Sequence, residues 1–197
     1  NLLRNYDIST KALASLFQSI TCRTAGFNTI DIANLSKSSA LISIILMFIG
    51  GSPASCAGGI KTTTFAVLFL TLIAMIRDND EVEVYGKRLS KTLINKSVAI
   101  FSLYFLIIII VTAIILFIER RTFVNDAFLK ILFETVSAIG TVGLSMDVTN
   151  RLSDLSKIIY ICVMFLGRVG PLTITIALVA KDQKIKYRLP EDKVLIG

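Results

Sequence analysis

Two short stretches, Thr24-Ala25-Gly26-Phe27 and Thr141-Val142-Gly143-Leu144, share one order: threonine, a small or branched residue, glycine, a bulky apolar residue. Each closes an amphipathic segment of helical spacing, residues 11–22 and 123–138, that is too short to cross a bilayer. Glycine permits the left-handed geometry that turns successive carbonyl groups the same way. Carbonyls so aligned can replace the water shell of a dehydrated cation. A single Thr-x-Gly after a helix is also an ordinary helix terminator. Two copies, each ahead of a long apolar run, point to backbone coordination of a cation.

Composition narrows the setting for that chemistry. Of 197 residues, 54% are hydrophobic and only 18% charged, with a mean hydropathy of +0.74. Soluble domains run near 45–50% apolar and about 25% charged, so a soluble enzyme is excluded first. The absence of histidine removes His-based catalytic dyads, the usual zinc sites and histidine proton relays. Cys22, Cys56 and Cys162 lie in apolar or small-residue runs without CxxC spacing, which predicts buried free thiols. The net charge of +7 lies between apolar spans without an aromatic–basic stripe, so it speaks for lipid headgroups and topology, not nucleic acid. The chain opens Asn1-Leu2-Leu3-Arg4, with neither an initiator Met nor a signal peptide, which suggests a piece of something longer.

The elements that must position the two turns follow from the apolar runs. Residues 98–118 make a span of about 31 Å, one hydrocarbon thickness. Residues 158–180 make a second, with Gly167, Arg168, Gly170 and Pro171 near its middle. Residues 41–76 would form about 54 Å of helix, too long for one untilted crossing. They are interrupted by Gly50-Gly51-Ser52-Pro53-Ala54-Ser55-Cys56-Ala57-Gly58-Gly59-Ile60-Lys61-Thr62, which costs roughly 7 kcal/mol as helix relative to alanine. The helix is therefore predicted to break there. The segments around 11–22 and 123–138 then read as re-entrant helices. Basic residues in 77–96 and in the tail 181–197 place both in the cytoplasm, so the turns open on the outer face.

The chain also repeats itself at a spacing of about 116–117 residues. Leu16-Phe17-Gln18-Ser19-Ile20 aligns with Leu132-Phe133-Glu134-Thr135-Val136, and Met47-Phe48-Ile49-Gly50 with Met164-Phe165-Leu166-Gly167. The unit is re-entrant helix, glycine turn, long span. A helical span precedes the second copy but not the first.

With no acid inside a crossing span and no histidine, a carboxylate-based proton antiporter is disfavoured, and selectivity falls to backbone carbonyls. Gly140-Thr141-Val142-Gly143-Leu144 shares Thr-Val-Gly with the potassium-channel filter pattern. Two turns make half of a four-sided ring. The motifs Cys22-Arg23-Thr24-Ala25-Gly26-Phe27-Asn28, the glycine insert 50–62, Ile139-Gly140-Thr141-Val142-Gly143-Leu144-Ser145, Phe165-Leu166-Gly167-Arg168-Val169-Gly170-Pro171 and the closing Pro190-Glu191-Asp192-Lys193-Val194-Leu195-Ile196-Gly197 together resemble the Ktr/Trk/HKT superfamily of potassium transporters, most of all its Ktr membrane subunits.

That resemblance, over about residues 16–197, implies an all-α integral membrane fold of four fused helix–pore loop–helix repeats, of which parts of two are present. Residues 1–76 correspond to a third repeat lacking its first helix, 77–96 to a cytoplasmic linker, 97–180 to a fourth repeat and 181–197 to a cytoplasmic tail. It implies a multi-pass plasma-membrane homodimer gated with a cytosolic nucleotide-binding ring of the KtrA or KtrC type, through which alone ATP or ADP would act. K+ is the transported ion, with Na+ a candidate activator. Carried over by position, Cys22, Arg23, Thr24, Ala25, Gly26, Ile139, Gly140, Thr141, Val142 and Gly143 line the filter with carbonyls. Gly26 alone in the third repeat, and Leu144 in place of the channel tyrosine, imply a shorter filter. Gly50, Gly51, Ser52, Pro53, Ala54, Ser55, Gly58, Gly59 and Lys61 belong to an intramembrane loop below it that obstructs the pore, and Arg168 sits beside that loop as an electrostatic barrier. From the residues alone, the insert reads either as such a gate or as a passive kink, and Arg168 either faces the pore or ties two helices together. The insert also comes near a phosphate-binding loop but fails it, because Ile60 separates Gly59 from Lys61 and no strand precedes. A non-conducting membrane scaffold is the rival reading.

Overall fold

The computed structural model describes residues 6–53, 55, 57–79, 81–84, 86–120 and 127–170. Among them are six α-helices: α1 (Ile8–Thr21), α2 (Lys37–Phe48), α3 (Thr62–Ile76), α4 (Lys91–Ile118), α5 (Ala127–Ile139) and α6 (Asp154–Val169). A small hairpin pairs β1 (Glu83–Val84) with β2 (Lys87–Arg88), antiparallel, around Gly86 at φ +71°. The Arg88–Glu81 ion pair beside it is half exposed and contributes little.

Serine starts three of the helices. Ser36 accepts from the Ser39 amide (3.2 Å), Ser90 from that of Leu93 (3.3 Å) and Ser153 from that of Ser156 (3.5 Å). Each bond satisfies a donor that the first helical turn otherwise leaves open. The Ser90 cap explains one departure from the sequence reading. Helix α4 begins at Lys91, seven residues before the apolar run, so its 28 residues extend about 42 Å and take up the end of the expected linker 77–96. It is long and apolar enough to cross a membrane.

The overlong run 41–76 does break. Helix α2 stops at Phe48 and α3 starts at Thr62, with residues 49–61 between them. The expected span 158–180 is not one continuous helix. Helix α6 runs from Asp154 and ends at Val169, where Gly170 at φ +85° leaves the helical region, and residues 171–180 lie outside the described residues. Arg168 lies in the last turn of α6, where the exposed carbonyls and the helix dipole favour a cation.

The internal repeat holds at the level of backbone. A 3₁₀ turn at Ile32–Asn34 precedes α2, and another at Thr149–Arg151 precedes α6, at the same spacing of about 117 residues. The two helices begin in register, each behind its serine cap. Helix α5 forms the centre, with Ile131, Phe133, Val136 and Ile139 fully buried against α2, α4 and α6. All six helices, by contrast, expose large apolar side chains, such as Leu16 on α1, Ile45 on α2, Phe69 on α3, Ile109 on α4, Phe128 on α5 and Phe165 on α6. A surface this apolar needs lipid or further protein around it. Cys22 is buried as expected, while Cys162 is exposed on α6 and Cys56 lies outside the described residues.

Candidate functional site

Helices α1 and α5 each end at the threshold of a glycine turn. After α1, the backbone at Thr24 has φ +69° and at Gly26 +75°. After α5, Thr141 has φ +51° and Gly143 +91°, again with a residue of negative φ between them. Left-handed backbone at a threonine costs roughly 1–2 kcal/mol, so its recurrence at both copies is a shared, imposed geometry. Alternating the sign of φ along a chain swings successive carbonyls toward the same side. Local bonds hold the turns in place. Thr141 N–H donates to Ala138 O (3.1 Å) and Val142 N–H to Ser137 O (2.9 Å), while the Thr21 hydroxyl donates to Phe27 O.

The two turns touch. A β-carbon built on Gly26 would lie 2.4 Å from the Val142 carbonyl oxygen and 3.8 Å from the Gly143 Cα. Only a glycine admits this approach, and it sets residues from opposite halves of the sequence side by side. Neither α1 nor α5 carries a basic residue in its last turn. The negative dipole end of α5 thus meets no basic side chain of its own last turn, while Arg23 follows directly on α1, and the carbonyl ends of both helices favour a cation where the turns begin.

The glycine loop lies against the second turn. Gly50 N–H donates to Ile60 O (2.8 Å), Ile60 N–H to Phe48 O (3.2 Å) and Thr62 N–H to Gly51 O (3.2 Å), which closes the neck of the loop between α2 and α3. At its far side, Gly58 N–H donates to the Thr141 hydroxyl (3.2 Å), and a β-carbon on Gly58 would fall 2.6 Å from Gly140 O. The Lys61 ammonium reaches back to Ala57 O (2.6 Å) and Ser55 O (3.1 Å), holding the loop folded on itself. Ser52, Pro53, Ser55 and Gly59 belong to the same loop, and Ala54 lies outside the described residues. The structure thus brings together Gly26, Val142, Gly143, Thr141, Gly140, Gly58 and, through the loop, Lys61. Cys22 and Ile139 stand buried at the ends of the preceding helices, and Arg23 is exposed.

Two acids do more than the sequence reading gave them. Glu134, buried in α5, accepts from the Ser145 hydroxyl, the Met146 amide (3.1 Å) and the Thr149 hydroxyl (3.3 Å), gathering the segment that follows the second turn. Glu119, buried at the end of α4, accepts from the Ser153 amide (2.8 Å) and the Ser153 and Ser156 hydroxyls (2.6 and 2.7 Å), fixing the start of α6. The hydroxyl residues after the turn were the available signal, but their meeting with an acid more than ten residues earlier depends on the fold.

The family model described as TrkH, cation transport protein, matches residues 1–187. The chain belongs to that family. Among its relatives, the Ktr system potassium uptake protein B of Bacillus subtilis is 38% identical over 195 residues, covering 99% of this chain and 42% of the relative. The protein of that name from Vibrio alginolyticus is 38% identical, covering 94% of this chain and 39% of the relative. The potassium/sodium uptake protein NtpJ of Enterococcus hirae is 33% identical, covering 95% and 42%. This TrkH-family chain thus spans about two-fifths of the length of the curated relatives it matches. In fold it is similar to the potassium transporter TrkH from Vibrio parahaemolyticus, with a TM-score of 0.73 at 21% identity over 90% of this chain and 39% of that one. These relatives are uptake proteins and transporters, not enzymes, and the family is one of membrane proteins.

Proposed function

We propose that the protein containing this chain takes up potassium across the plasma membrane through a filter of backbone carbonyls, to which residues 22–26 and 139–143 contribute two adjacent sides. The observation that carries this reading is the contact of Gly26 with Val142 and Gly143, in two turns of matching dihedral pattern at the carbonyl ends of two helices. A dehydrated cation held there exchanges water oxygens for carbonyls already turned toward it. The relatives' names support potassium as cargo, and the potassium/sodium uptake protein of Enterococcus hirae supports a part for sodium.

The loop 50–62 is the gate of this reading. Its bond from Gly58 to Thr141 lets a movement of the loop reach the filter directly, which a passive kink would not do. Arg168 adds a positive barrier near the inner end of α6. The remaining parts, namely a homodimer, a cytosolic ring carrying ATP or ADP, and its contacts with 77–96 and the tail 181–197, are proposed from family likeness. The tail lies outside the described residues.

The test is rubidium or potassium uptake by a potassium-requiring bacterial host expressing the full-length protein, wild type against Gly143→Ser. Serine at φ +91° is strained beside the ligand carbonyls of this reading, so uptake is expected to lose at least tenfold in apparent affinity or to collapse. A wild type that moves no potassium even with its ring partner would favour the non-conducting scaffold.

The loop makes a separate prediction. Lys61→Met keeps the side-chain length and removes the ammonium that binds Ala57 O and Ser55 O. Charge-assisted bonds of this kind contribute about 1.5–3 kcal/mol, and their loss loosens the folded loop. Ring-free uptake in proteoliposomes is expected to rise about tenfold at equal protein content. Unchanged or lower flux would assign Lys61 no part in closure.

A further inference from the structure

We propose that Glu134 is the positioning residue that sets ion preference in the second turn, acting through the segment 145–149 without touching the ion. The proposal rests on the filter reading above and adds to it a determinant outside the filter sequence.

Glu134 is only 7% exposed, yet both its oxygens are engaged: Oε1 by the Ser145 hydroxyl and the Met146 amide, Oε2 by the Thr149 hydroxyl. One carboxylate on the rigid central helix therefore clamps the chain immediately beyond Gly143 and Leu144. Behind the turn lies a cavity of about 420 Å³ lined in part by Glu134, Ser137, Thr141, Gly143 and Tyr160. Within this chain that side is an open cleft, and the clamp holds the turn along its edge. Carbonyl spacing decides which dehydrated cation fits, and a relaxed turn discriminates less.

The first turn is built differently. The aligned residue there is Gln18, buried at 8% exposure, and neither of its amide atoms finds a partner among the described residues. That turn is instead tied by the Thr21 hydroxyl to Phe27 O. The two turns are thus braced by different side chains. Beyond Gly143 the second turn is therefore held by Glu134, where the first has no such clamp among the described residues.

The experiment measures potassium and sodium uptake by the full-length protein in the potassium-requiring host, with Glu134→Met, Glu134→Gln, Ser145→Ala and Gln18→Met beside Gly143→Ser. Glu134→Met is expected to lower the ratio of sodium KM to potassium KM at least tenfold, equivalent to about 1.4 kcal/mol. Glu134→Gln, whose amide oxygen still accepts from Ser145 and Met146, should recover at least half of that loss on a logarithmic scale. Ser145→Ala is expected to lower the ratio about threefold and stands in if Glu134→Met does not fold. Gln18→Met should leave the ratio unchanged. Reduced protein yield with an unshifted KM ratio in the Glu134 and Ser145 variants would overturn the proposal. If Gly143→Ser still cripples affinity in that case, the filter reading survives without the clamp. If Gly143→Ser is also silent, the filter reading itself falls.

Discussion

Gly26→Ala is expected to cut potassium uptake by about two orders of magnitude while the protein still reaches the membrane. Two separate costs meet at this position. At φ +75°, an L-residue bears roughly 1–2 kcal/mol of backbone strain. The new methyl group would also stand 2.4 Å from the Val142 carbonyl oxygen, well inside contact distance, and that neighbour is backbone and cannot swing aside as a side chain would. Overpacking of this kind typically costs 1–3 kcal/mol. Together they amount to about 3 kcal/mol, and at about 1.4 kcal/mol per tenfold the product is roughly a hundredfold. The displaced atom is itself one of the proposed ligands, so the damage falls on ion affinity before it falls on folding. Gly86→Ala is the companion measurement. It has nearly the same φ, +71°, but nothing within 4 Å of the new carbon, so uptake is expected to stay near wild type. Equal losses in the two variants would mean that strain alone, and not the contact between the turns, governs Gly26.

Much of this arrangement is legible in the residues, for a physical reason. Glycine, proline and long apolar runs act locally, so the break after Phe48, the turn at Gly26 and the crossing length of α4 follow from neighbours in sequence. The repeat was likewise visible, since Leu16-Phe17-Gln18 and Leu132-Phe133-Glu134 register without any coordinates. The end of α6 was not. Apolar residues continue past Val169, and hydropathy alone carries a span through Gly170 that the backbone leaves at positive φ. Arg168 accordingly falls in the last turn of a helix and not inside a continuous one. The contacts that join the site were the least legible. Gly58 meets Thr141 across 83 residues, and Glu134 meets Ser145 and Thr149 only because the chain beyond the turn runs back along α5. Cys162 is exposed for a related reason: apolar surroundings in sequence imply burial in water-soluble folds, whereas here the apolar faces point outward.

The foundation beneath the second turn makes the other large prediction. Gly167 on α6 crosses α5 so closely that a β-carbon would lie 2.0 Å from the Ile139 carbonyl oxygen, 2.8 Å from its carbon and 3.0 Å from its Cα. All three atoms belong to backbone, at the residue from which the turn 140–144 departs. Alanine can be accommodated only if α6 retreats by about an ångström, which opens the packing of Val163 and Tyr160 on the buried face of α5. Cavity and strain costs in packed cores reach about 3–5 kcal/mol, and in a protein of its relatives' length 1 kcal/mol shifts the midpoint by only about 1–2 °C. Gly167→Ala is therefore expected to lower the Tm of the purified full-length protein by on the order of 5 °C and to reduce its yield. Gly170→Ala, three residues further at φ +85° with nothing within 4 Å, bears strain without collision and should shift the Tm by only a few degrees. Potassium sharpens the comparison. An ion that binds the folded state stabilises it by mass action, so saturating potassium should raise the Tm of wild type and Gly170→Ala alike. In Gly167→Ala that increment should shrink, because Ile139 and the carbonyls after it no longer sit where the ion needs them. A full potassium increment in Gly167→Ala would show that α6 supports the fold but not the filter.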